Sequence, residues 1–337
     1  FVKHSINKNN KVLFLAHRRE LIKQCSEKLT LEKVRHGIIM AGEPYHFWHN
    51  TQIASIDTLR SRSITNQREK LPEANLVVID EAHRCLSNTY LKIISLYKRS
   101  QVLGLTATPI RSDGRGLGHI FQDMVQAPSI GWLINEGHLV ECSYYAPTIP
   151  DLKGIQTYMG DYNTVQLAKR MDKPKLVGDI VSSWLKIANN KKTIVFASSV
   201  AHSKNLAESF IDIGIKAAHI DGTTDNKERE RVLGEFNHEN MKIICNCMVL
   251  TEGFDCPPAE VCVLARPTKS LGMYIQMVGR VLRPYEGKEQ ATIIDHSGAV
   301  YMHGFVETDI EWNLDPKKPL TIKERKKARD KEETQIV

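Results

Sequence analysis

The sequence lacks the features that would place a protein in a membrane, in a secretory route or among zinc proteins. It contains no run of about 18 apolar residues, the length that is needed to cross a bilayer. The opening residues FVKHSINKNN contain neither the apolar stretch nor the small-residue cleavage site of a secretion signal. The seven cysteines include no CxxC pair, so neither a disulfide framework nor a zinc site is indicated. We therefore expect a cytoplasmic protein without a membrane partner.

Charge and aromatic content carry only a faint indication of a partner. The 337 residues include 46 Lys and Arg against 39 Asp and Glu, and the formal charge of +7 suits a polyanion without requiring one. Aromatic residues make up 7% of the chain and form no evident series, so no base-stacking site is predicted. The length and the 42% of hydrophobic residues suffice for two compact domains.

Short apolar runs rich in β-branched residues alternate with segments of helical period. This pattern predicts an α/β fold with two lobes, each a mainly parallel sheet with flanking helices. In the first lobe, strands are predicted at 11–16, 37–41, 51–56, 76–79 and 102–105, with a helix at 18–29. In the second, strands are predicted at 193–197, 217–220, 241–245, 261–264 and 291–294, with helices at 202–213, 226–237 and 271–282.

The composition also predicts where the domains begin and end. Residues 144–175 mix Pro, Gly, Tyr and polar residues without sustained periodicity, as a connector between lobes should. The predicted organisation is therefore a first lobe at 1–143, a connector at 144–175, a second lobe at 176–315 and a charged tail at 316–337. The tail is dense in Lys, Arg, Glu and Asp, which is typical of a solvated helix or a disordered segment.

Two adjacent carboxylates, Asp80 and Glu81, follow the apolar strand LVVI in the segment LVVIDEAH. In α/β proteins, ligands bind at this carboxyl edge of the sheet. A nucleoside triphosphatase needs one carboxylate for the Mg²⁺ shell, here Asp80 through water, and another, here Glu81, to orient or deprotonate the attacking water. His83 would sense the nucleotide. For an isolated DEAH tetrapeptide, an exposed acidic turn is the alternative reading.

A second segment, GLTATP, again follows an apolar strand. Its hydroxyls, on Thr106 and Thr108, could couple the acidic site to the second lobe. On its own, such a segment would be an ordinary turn.

The predicted helix at 271–282 contains the segment QMVGRVLR, which places Arg280 and Arg283 three residues apart on one helix face, with Gln276 a turn upstream. An arginine that reaches the terminal phosphate stabilises the charge that develops during phosphoryl transfer. The two guanidinium groups are therefore candidates for that task. A solvated basic helix face is the commoner fate of two isolated arginines.

A loop of sequence VLTEGFD follows another predicted strand. Gly253 permits a tight turn, Asp255 could meet a ribose or the two arginines, and Thr251 could hold a backbone phosphate. Without its context, this loop would be uninformative, because Thr, Gly and Asp are common turn residues.

Taken in chain order, these segments resemble motifs II, III, V and VI of the superfamily 2 helicases, and LAHRRELIKQ at 15–24 resembles their motif Ia. The resemblance spans about residues 11–298, and the strings DGRGLGHIF, ARPTKSLGMYIQMVGRVLRP and IIDHSGAV look like the RadD/YejH-like branch. It implies two RecA-like lobes that bind ATP and Mg²⁺, with Asp80, Glu81, Gly253, Asp255, Arg280 and Arg283 around the nucleotide. The carboxylate pair and the guanidinium pair are then expected to converge on one triphosphate.

The resemblance also implies a nucleic-acid strand that crosses both lobes. By their positions in the motifs, Arg18, Arg19, Thr58, Ser199 and Thr251 would face its phosphates. Phosphate contacts are sequence-tolerant, which suits a motor that steps along any sequence. For Arg18 and Arg19 the alternative is a surface pair at a helix start, and Ser199 and Thr58 could be helix caps.

The sequence departs from the family at motif I, the glycine-rich loop with a GKT or GKS sequence that cradles phosphates, because no Gly-Lys pair is followed by Ser or Thr. Truncation is the favoured explanation. We expect this chain to bind and hydrolyse ATP poorly, and its full-length parent to be a nucleic-acid-stimulated ATPase.

Three functions remain open at this stage. The first is an ATP-dependent helicase or translocase in DNA repair or recombination, acting as a monomer on single-stranded or branched DNA in preference to RNA. The second is a non-hydrolysing DNA-binding remnant, and the third is the motor subunit of a restriction or remodelling complex. The retained Asp80, Glu81, Arg280 and Arg283 favour the first, because a chain that has lost hydrolysis has no chemical need for them.

Overall fold

A computed structural model describes residues 2–44, 46–238 and 241–315, together with Lys317. The predicted charged tail at 316–337 therefore lies outside the described residues, apart from Lys317. The chain divides into two compact units. The first holds the residues up to Arg111, then 116–124 and the stretch that begins at Asn313; the second holds 112–115 and 125–312. Among the described residues, no helix has both the length and the apolar character that a membrane crossing needs.

The first unit is built on a five-stranded parallel sheet in the order β2-β3-β1-β4-β5. The strands are β1 Val12–Ala16, β2 Gly37–Ile39, β3 Thr51–Ser55, β4 Leu76–Asp80 and β5 Gln101–Leu105. The helices are α1 Val2–Asn7, α2 Arg19–Leu31, α3 Ile56–Leu59 and α4 Asn88–Ile94, with a π-helical turn at Arg60–Thr65 and a 3₁₀ turn at Ala82–Arg84.

Residues of β1 alternate between two apolar clusters because successive side chains of a strand point to opposite faces. Leu13 and Leu15 belong to one cluster, with Ile79 and Ile93. Val12, Phe14 and Ala16 belong to the other, with Ile22 of α2. Both faces of the sheet are thus covered, which explains why its inner strands read as continuous apolar runs.

The second unit is built on a six-stranded parallel sheet in the order β10-β11-β9-β12-β13-β6. The strands are β6 Glu141–Tyr145, β9 Thr193–Ala197, β10 Ala217–Ile220, β11 Ile243–Asn246, β12 Val261–Ala265 and β13 Gln290–Asp295, with the separate antiparallel pair β7 Thr157–Tyr158 and β8 Asp161–Tyr162. The helices are α5 Ile130–Asn135, α6 Thr164–Met171, α7 Pro174–Ile187, α8 Val200–Asp212, α9 Asn226–Asn237, α10 Leu271–Gly279 and α11 Ala299–His303.

The predicted α/β fold class with mainly parallel sheets and flanking helices is confirmed. The prediction of an irregular connector at 144–175 needs a correction, because this stretch contains the β7–β8 pair and α6. Leu167 and Met171 of α6 pack with Tyr162 in a small apolar cluster. Residues 125–143, expected in the first lobe, lie in the second unit because β6 pairs with β13. Residues 313–315 return to the first unit, where Leu314 and Asp315 accept hydrogen bonds from the amides of Gly118 and Gly116.

Candidate functional site

The carboxyl edge of the first sheet collects the candidate residues of the first unit. Arg18 follows β1, Thr58 follows β3, Asp80 ends β4 and Thr106 follows β5. These four strands are consecutive in the sheet and all run in parallel, so their carboxyl ends lie at one edge. The candidate residues are therefore neighbours in the fold although they are dispersed along the chain.

The acidic turn after β4 has an unusual backbone. Glu81 adopts the left-handed conformation, with φ of 52° and ψ of 54°, and its amide donates to Asp80 Oδ1 at 3.1 Å. A non-glycine residue in this region costs about 1–2 kcal/mol. Glu81 Oε2 lies 3.4 Å from His83 Nδ1 and accepts no hydrogen bond from the described part of the chain, although it is buried. Strain and an unpartnered buried carboxylate oxygen in one residue are typical of a functional position.

A hydrogen-bond chain joins this turn to the segment after β5. His83 Nδ1 lies 3.2 Å from Thr106 Oγ1, which donates to the carbonyl of Thr108 at 3.2 Å and accepts from its amide at 3.1 Å. Thr108 is 1% exposed, and its hydroxyl finds no partner among the described residues. His83 is therefore in direct contact with the TAT segment.

Gly104 allows the two segments to approach one another. A Cβ added at Gly104 would lie 2.5 Å from the ring of Phe121 and 2.8 Å from Cβ of Ala82, which is the first residue of the 3₁₀ turn. Neither distance is tolerable for two carbon atoms. A larger residue at position 104 would displace β5 from the acidic turn, so the glycine is a requirement of this edge.

The two carboxylates of Asp80 and Glu81 fit a nucleotide-bound Mg²⁺ ion. Mg²⁺ usually takes one or two carboxylates and completes its shell with water and phosphate oxygens. No group of three or more His, Cys, Asp or Glu that could hold a metal by itself occurs within the part of the chain that the structure describes. A two-carboxylate site that needs phosphate for completion is consistent with both observations.

Arg18 and Arg19 begin α2. Arg18 is its N-cap residue, with Nε 3.4 Å from His17 Nε2, and the Arg19 guanidinium donates to the carbonyl of Ala41 at 2.6 Å. The predicted position at a helix start is thus confirmed, and a contact with nucleic acid stays a prediction. Cations near a helix N-terminus are unfavourable by themselves, because the helix dipole is positive there. A bound anion would relieve that repulsion.

The hydroxyls predicted to face phosphates have different surroundings. Thr58 lies in α3, where Ser55 is the cap and accepts from the Thr58 amide at 3.5 Å. Ser199 caps α8 by accepting from the amide of His202 at 3.1 Å, and it retains its own hydroxyl proton for a further acceptor. Thr251 is only 3% exposed and donates to the carbonyl of Met248 at 3.3 Å, so its hydroxyl does not reach the surface.

The arginine pair requires a correction. The helix expected at 271–282 ends at Gly279, so Arg280 is its C-cap and Arg283 lies beyond it, and the two do not share a helix face. Arg280 donates through Nε and Nη2 to the carbonyl of Thr251 at 3.1 and 2.7 Å, and through Nη1 to that of Phe254 at 2.7 Å. The guanidinium thus supplies donors to carbonyls of the loop after β11.

Arg283 is paired differently from Arg280. Its guanidinium contacts the carboxylate of Asp255, and both side chains are nearly half exposed. Gly253 has φ of 73°, as the predicted tight turn requires. The buried Lys288 ammonium donates to the carbonyls of Pro257, Ala259 and Arg283, which ties the arginine turn to the loop that carries Asp255. Gln276 lies in α10 and is partly exposed.

Other polar residues at the carboxyl edge of the second sheet escaped the sequence analysis. Asp221, after β10, accepts from the Thr223 hydroxyl at 2.7 Å and contacts His219 Nε2 at 3.0 Å, and these bonds hold its pKa well below the usual range. Asp295 ends β13 and accepts from the Ser297 hydroxyl at 2.6 Å and the Val300 amide at 2.8 Å, although burial raises its pKa. The strings IDGTT and IDHS, an Asp followed by hydroxyl residues after a strand, were the available signal.

Two histidines at the same edge are held neutral by their surroundings. His202 is fully buried, and burial lowers its pKa to about 4 against a smaller opposing effect of Asp172. His296 is 1% exposed, and burial likewise lowers its pKa to about 4, opposed by Asp179. Their Nδ1 atoms meet the hydroxyls of Ser198 and Thr148 at 2.9 and 2.8 Å. Both therefore serve as uncharged hydrogen-bonding groups.

Two family models match the chain. Residues 1–111 match the res subunit of type III restriction enzymes, and residues 172–285 match the helicase conserved C-terminal domain. The first match contains the acidic turn and the TAT segment, and the second contains the loop after β11 and both arginines of the predicted pair.

Similar proteins agree with these matches. A 51.5 kDa protein of a Lactococcus phage is 32% identical over 92% of this chain and 64% of its own length. IRC3 of Saccharomyces cerevisiae, whose name assigns it provisionally to the ATP-dependent helicases, is 30% identical over 86% of this chain and 44% of its own length. The ATP-dependent Type ISP restriction-modification enzyme LlaBIII bound to DNA has a TM-score of 0.63 at 18% identity, over 88% of this chain and 25% of that one, which shows the fold alone.

The chain thus spans between 44% and 64% of the length of these two relatives. The two matched models and the relatives agree with one another along the chain. The chain belongs to superfamily 2 of the helicases.

Proposed function

We propose that this chain is the motor of an ATP-dependent nucleic-acid helicase or translocase. The observation that carries the proposal is the cluster of Glu81, His83, Thr106 and Thr108. Its two segments are hydrogen-bonded to each other, while Glu81 Oε2, 3.4 Å from His83 Nδ1, and Thr108 Oγ1 accept no hydrogen bond from the described residues. Such oxygens cost about 1–3 kcal/mol each unless a ligand or water satisfies them. A hydrated Mg²⁺–nucleotide would supply those partners.

The roles that we propose follow from position and chemistry. Asp80 would hold the Mg²⁺ shell through water, and Glu81 would orient or deprotonate the attacking water. Arg283 is better suited than Arg280 to contact the phosphates, because its side chain is nearly half exposed and pairs with Asp255, whereas Arg280 bonds backbone carbonyls of the loop. Arg280 would position the loop after β11 by its bonds to Thr251 and Phe254. ATP with Mg²⁺ is the proposed cofactor.

We propose single-stranded or branched DNA as the partner, in preference to RNA, and repair or recombination as the process. Arg18, Arg19 and the Ser199 hydroxyl would contact its phosphates, with Thr58 as a further candidate. The cations at the start of α2 support an anionic partner. Thr251 would act through its carbonyl, as the acceptor for Arg280, since its hydroxyl is buried.

The decisive experiment measures phosphate release by the full-length protein, with and without single-stranded DNA or RNA. We expect stimulation by DNA, and we expect Glu81→Gln to lower the stimulated rate at least about 100-fold, as loss of a general base does. Glu73→Gln is the matched control, because Glu73 is 80% exposed, pairs with Lys11 and precedes β4 at the opposite edge of the sheet. An unstimulated rate, or a Glu81→Gln variant that remains as active as wild type, would contradict the proposal.

A non-hydrolysing DNA-binding remnant is the second candidate, favoured by the missing Gly-Lys-Ser or Gly-Lys-Thr sequence within the 337 residues. It predicts DNA binding without ATP turnover by the full-length protein. The same assay therefore separates the two candidates.

A further inference from the structure

The β7–β8 hairpin presents two large apolar side chains to solvent. Tyr158 is 70% exposed and Met159 is 75% exposed, and the turn is made by Met159 and Gly160, which have φ of 49° and 87°. A two-stranded hairpin is marginally stable by itself, and these strands have only two residues each. Its shape must therefore come from the structure around it.

The base of the hairpin is fixed to the loop after β12. Asp161 accepts from the Thr268 hydroxyl at 2.9 Å and from the Lys269 amide at 2.7 Å. The Lys269 ammonium lies 4.8 Å from the ring centre of Tyr162 and donates to the hydroxyl of Thr157. Both strands of the hairpin are thus held by one loop at the carboxyl edge of the second sheet.

The tip is supported from another direction. Ser112 donates its hydroxyl to the carbonyl of Met159 at 2.9 Å. Gly160 packs so closely on the backbone of Asp113 that an added Cβ would lie 2.7 Å from its Cα. These contacts hold the backbone of the tip while the side chains of Tyr158 and Met159 stay in solvent. The aromatic ring is presented on a pre-organised support, which lowers the entropy cost of binding.

The hairpin also adjoins one of the positions at which we propose a phosphate contact. Arg266 lies with Nη2 3.8 Å from Asp161 Oδ2, and its Nη1 donates to the carbonyl of Ser198 at 3.3 Å. Ser198 immediately precedes Ser199, the N-cap of α8. One buried arginine therefore connects the hairpin base with the first turn of α8.

The charges around the hairpin suit a polyanion. Asp161 is surrounded by the donors of Thr268, Lys269 and Arg266, and Asp113 is paired with Arg115 at 3.5 Å. Each of these two acidic groups thus has an arginine partner, and the Lys269 ammonium adds a cation at the hairpin base. Exposed aromatic rings beside cations are the combination that binds single strands by stacking, because every base has a π-face.

We infer that Tyr158, flanked by Met159, stacks on an unpaired base of a nucleic-acid strand whose backbone runs past Ser199. The inference rests on the proposed function, in that it names the element of the second unit that contacts the bases.

The test compares binding of two fluorescein-labelled probes, a 20-nucleotide oligo-dT and an abasic strand of equal length. Stacking contributes about 1–3 kcal/mol per base, and 1.4 kcal/mol is a tenfold change, so we expect Tyr158→Ala to weaken oligo-dT binding about tenfold. Binding of the abasic strand should not change, and Tyr158→Phe should bind oligo-dT like wild type. The matched control is Trp132→Ala, since Trp132 is a 46% exposed ring on α5, near the amino end of β6.

Each outcome has one meaning. If wild type binds oligo-dT but not more tightly than the abasic strand, or if Tyr158→Ala binds both as wild type does, the hairpin proposal is overturned and nucleic-acid binding stands. If wild type binds neither probe, the proposed function fails as well. Equal melting temperatures of wild type and Tyr158→Ala, expected for an exposed side chain, exclude misfolding, and a 5-iodouracil crosslink mapped to Tyr158 would support the contact independently.

Discussion

At the carboxyl edge of the first sheet, the buried oxygens Glu81 Oε2 and Thr108 Oγ1 accept no hydrogen bond from the described residues. At the carboxyl edge of the second sheet, by contrast, Asp295 accepts from the hydroxyl and amide of Ser297 and the amide of Val300. Asp221 is similarly satisfied by Thr223, Thr224 and His219. The carboxylates of the two edges thus differ in hydrogen-bond satisfaction, although Nε2 of His202 and of His296 at the second edge also has no hydrogen-bond partner among the described residues.

This difference assigns different tasks to the two edges. An unsatisfied buried oxygen costs free energy that a bound ligand or an ordered water can recover. A fully bonded carboxylate instead stiffens the loop that surrounds it. We therefore expect substitutions at the first edge to change activity more than stability, and substitutions at the second edge to change stability.

Among single substitutions, the largest effect on stability is expected for Arg280→Ala. Its three hydrogen bonds to Thr251 and Phe254 are lost, and the carbonyls of two buried residues lose their donors. At about 2 kcal/mol for each carbonyl, the free energy of unfolding should fall by about 4 kcal/mol. Arg283→Ala breaks only a half-exposed pair and should cost less than about 1 kcal/mol. Urea denaturation of both variants measures these changes in the free energy of unfolding.

The variant that loses little stability, Arg283→Ala, should nevertheless lose activity. Arg283→Ala should retain a wild-type melting temperature and lose most of the DNA-stimulated ATPase activity of the full-length protein. Equal loss of stability in both variants would show that the two arginines are alike, and it would remove the distinction between a positioning and a phosphate-binding arginine.

Acid should destabilise the second unit through His202 and His296. Both have a pKa of about 4 in the fold against an ordinary 6.5, so between pH 6.5 and 4 the unfolded chain binds protons that the folded chain does not. Their contribution to the free energy of unfolding is fully present above pH 6.5. It is lost as the pH falls to 4, and the loss is about 3 kcal/mol for each histidine. Hydrogen–deuterium exchange of the β9 and β13 amides across this range measures the loss.

The double variant His202→Asn/His296→Gln should show a flatter pH profile than wild type. Its control is His238→Gln, which changes an exposed histidine in the same unit. A wild-type profile without a slope between pH 6.5 and 4 would mean that the two imidazoles titrate as they do in the unfolded chain.

The smallest effect comes from a matched pair of hydroxyl deletions. Thr108→Val removes an unpartnered buried hydroxyl and should raise the free energy of unfolding by about 1 kcal/mol. Ser297→Ala removes a donor to the buried Asp295 and should lower it by about 2 kcal/mol. Thermal melts of both variants suffice, and a change of the same sign in both would refute the contrast between the two edges.

Much of the fold was predictable because the information is local. Inner strands covered on both faces must be apolar throughout, so β1, β4, β9 and β12 are legible as short runs. The acidic turn and the TAT segment could be placed at one sheet edge because both follow such strands. The helix α7 was also within reach, since Pro174 at its first position and the buried Val177, Ile180, Val181 and Trp184 have helical spacing.

Other features were not predictable because they depend on partners that are distant in the sequence. Arg280 at the end of α10 bonds the carbonyl of Thr251 29 residues earlier, a partner that its own segment does not indicate. The strand β6 belongs to the second sheet because Cys142 pairs with Ala291, and nothing in its own composition names that partner. Aromatic content likewise gave no hint of Tyr158, whose exposure depends on the supports of the hairpin.

The sequence by itself determined the alternation of strands and helices, the family and the identity of the chemical groups, because periodicity and motif order are properties of neighbouring residues. Only the tertiary structure decided which groups are already satisfied by the protein, as Arg280 and Asp295 are, and which are not, as Glu81 and Thr108 are. The physical reason is that hydrogen-bond satisfaction is decided by atoms brought together through folding, whose separation along the chain carries no signal.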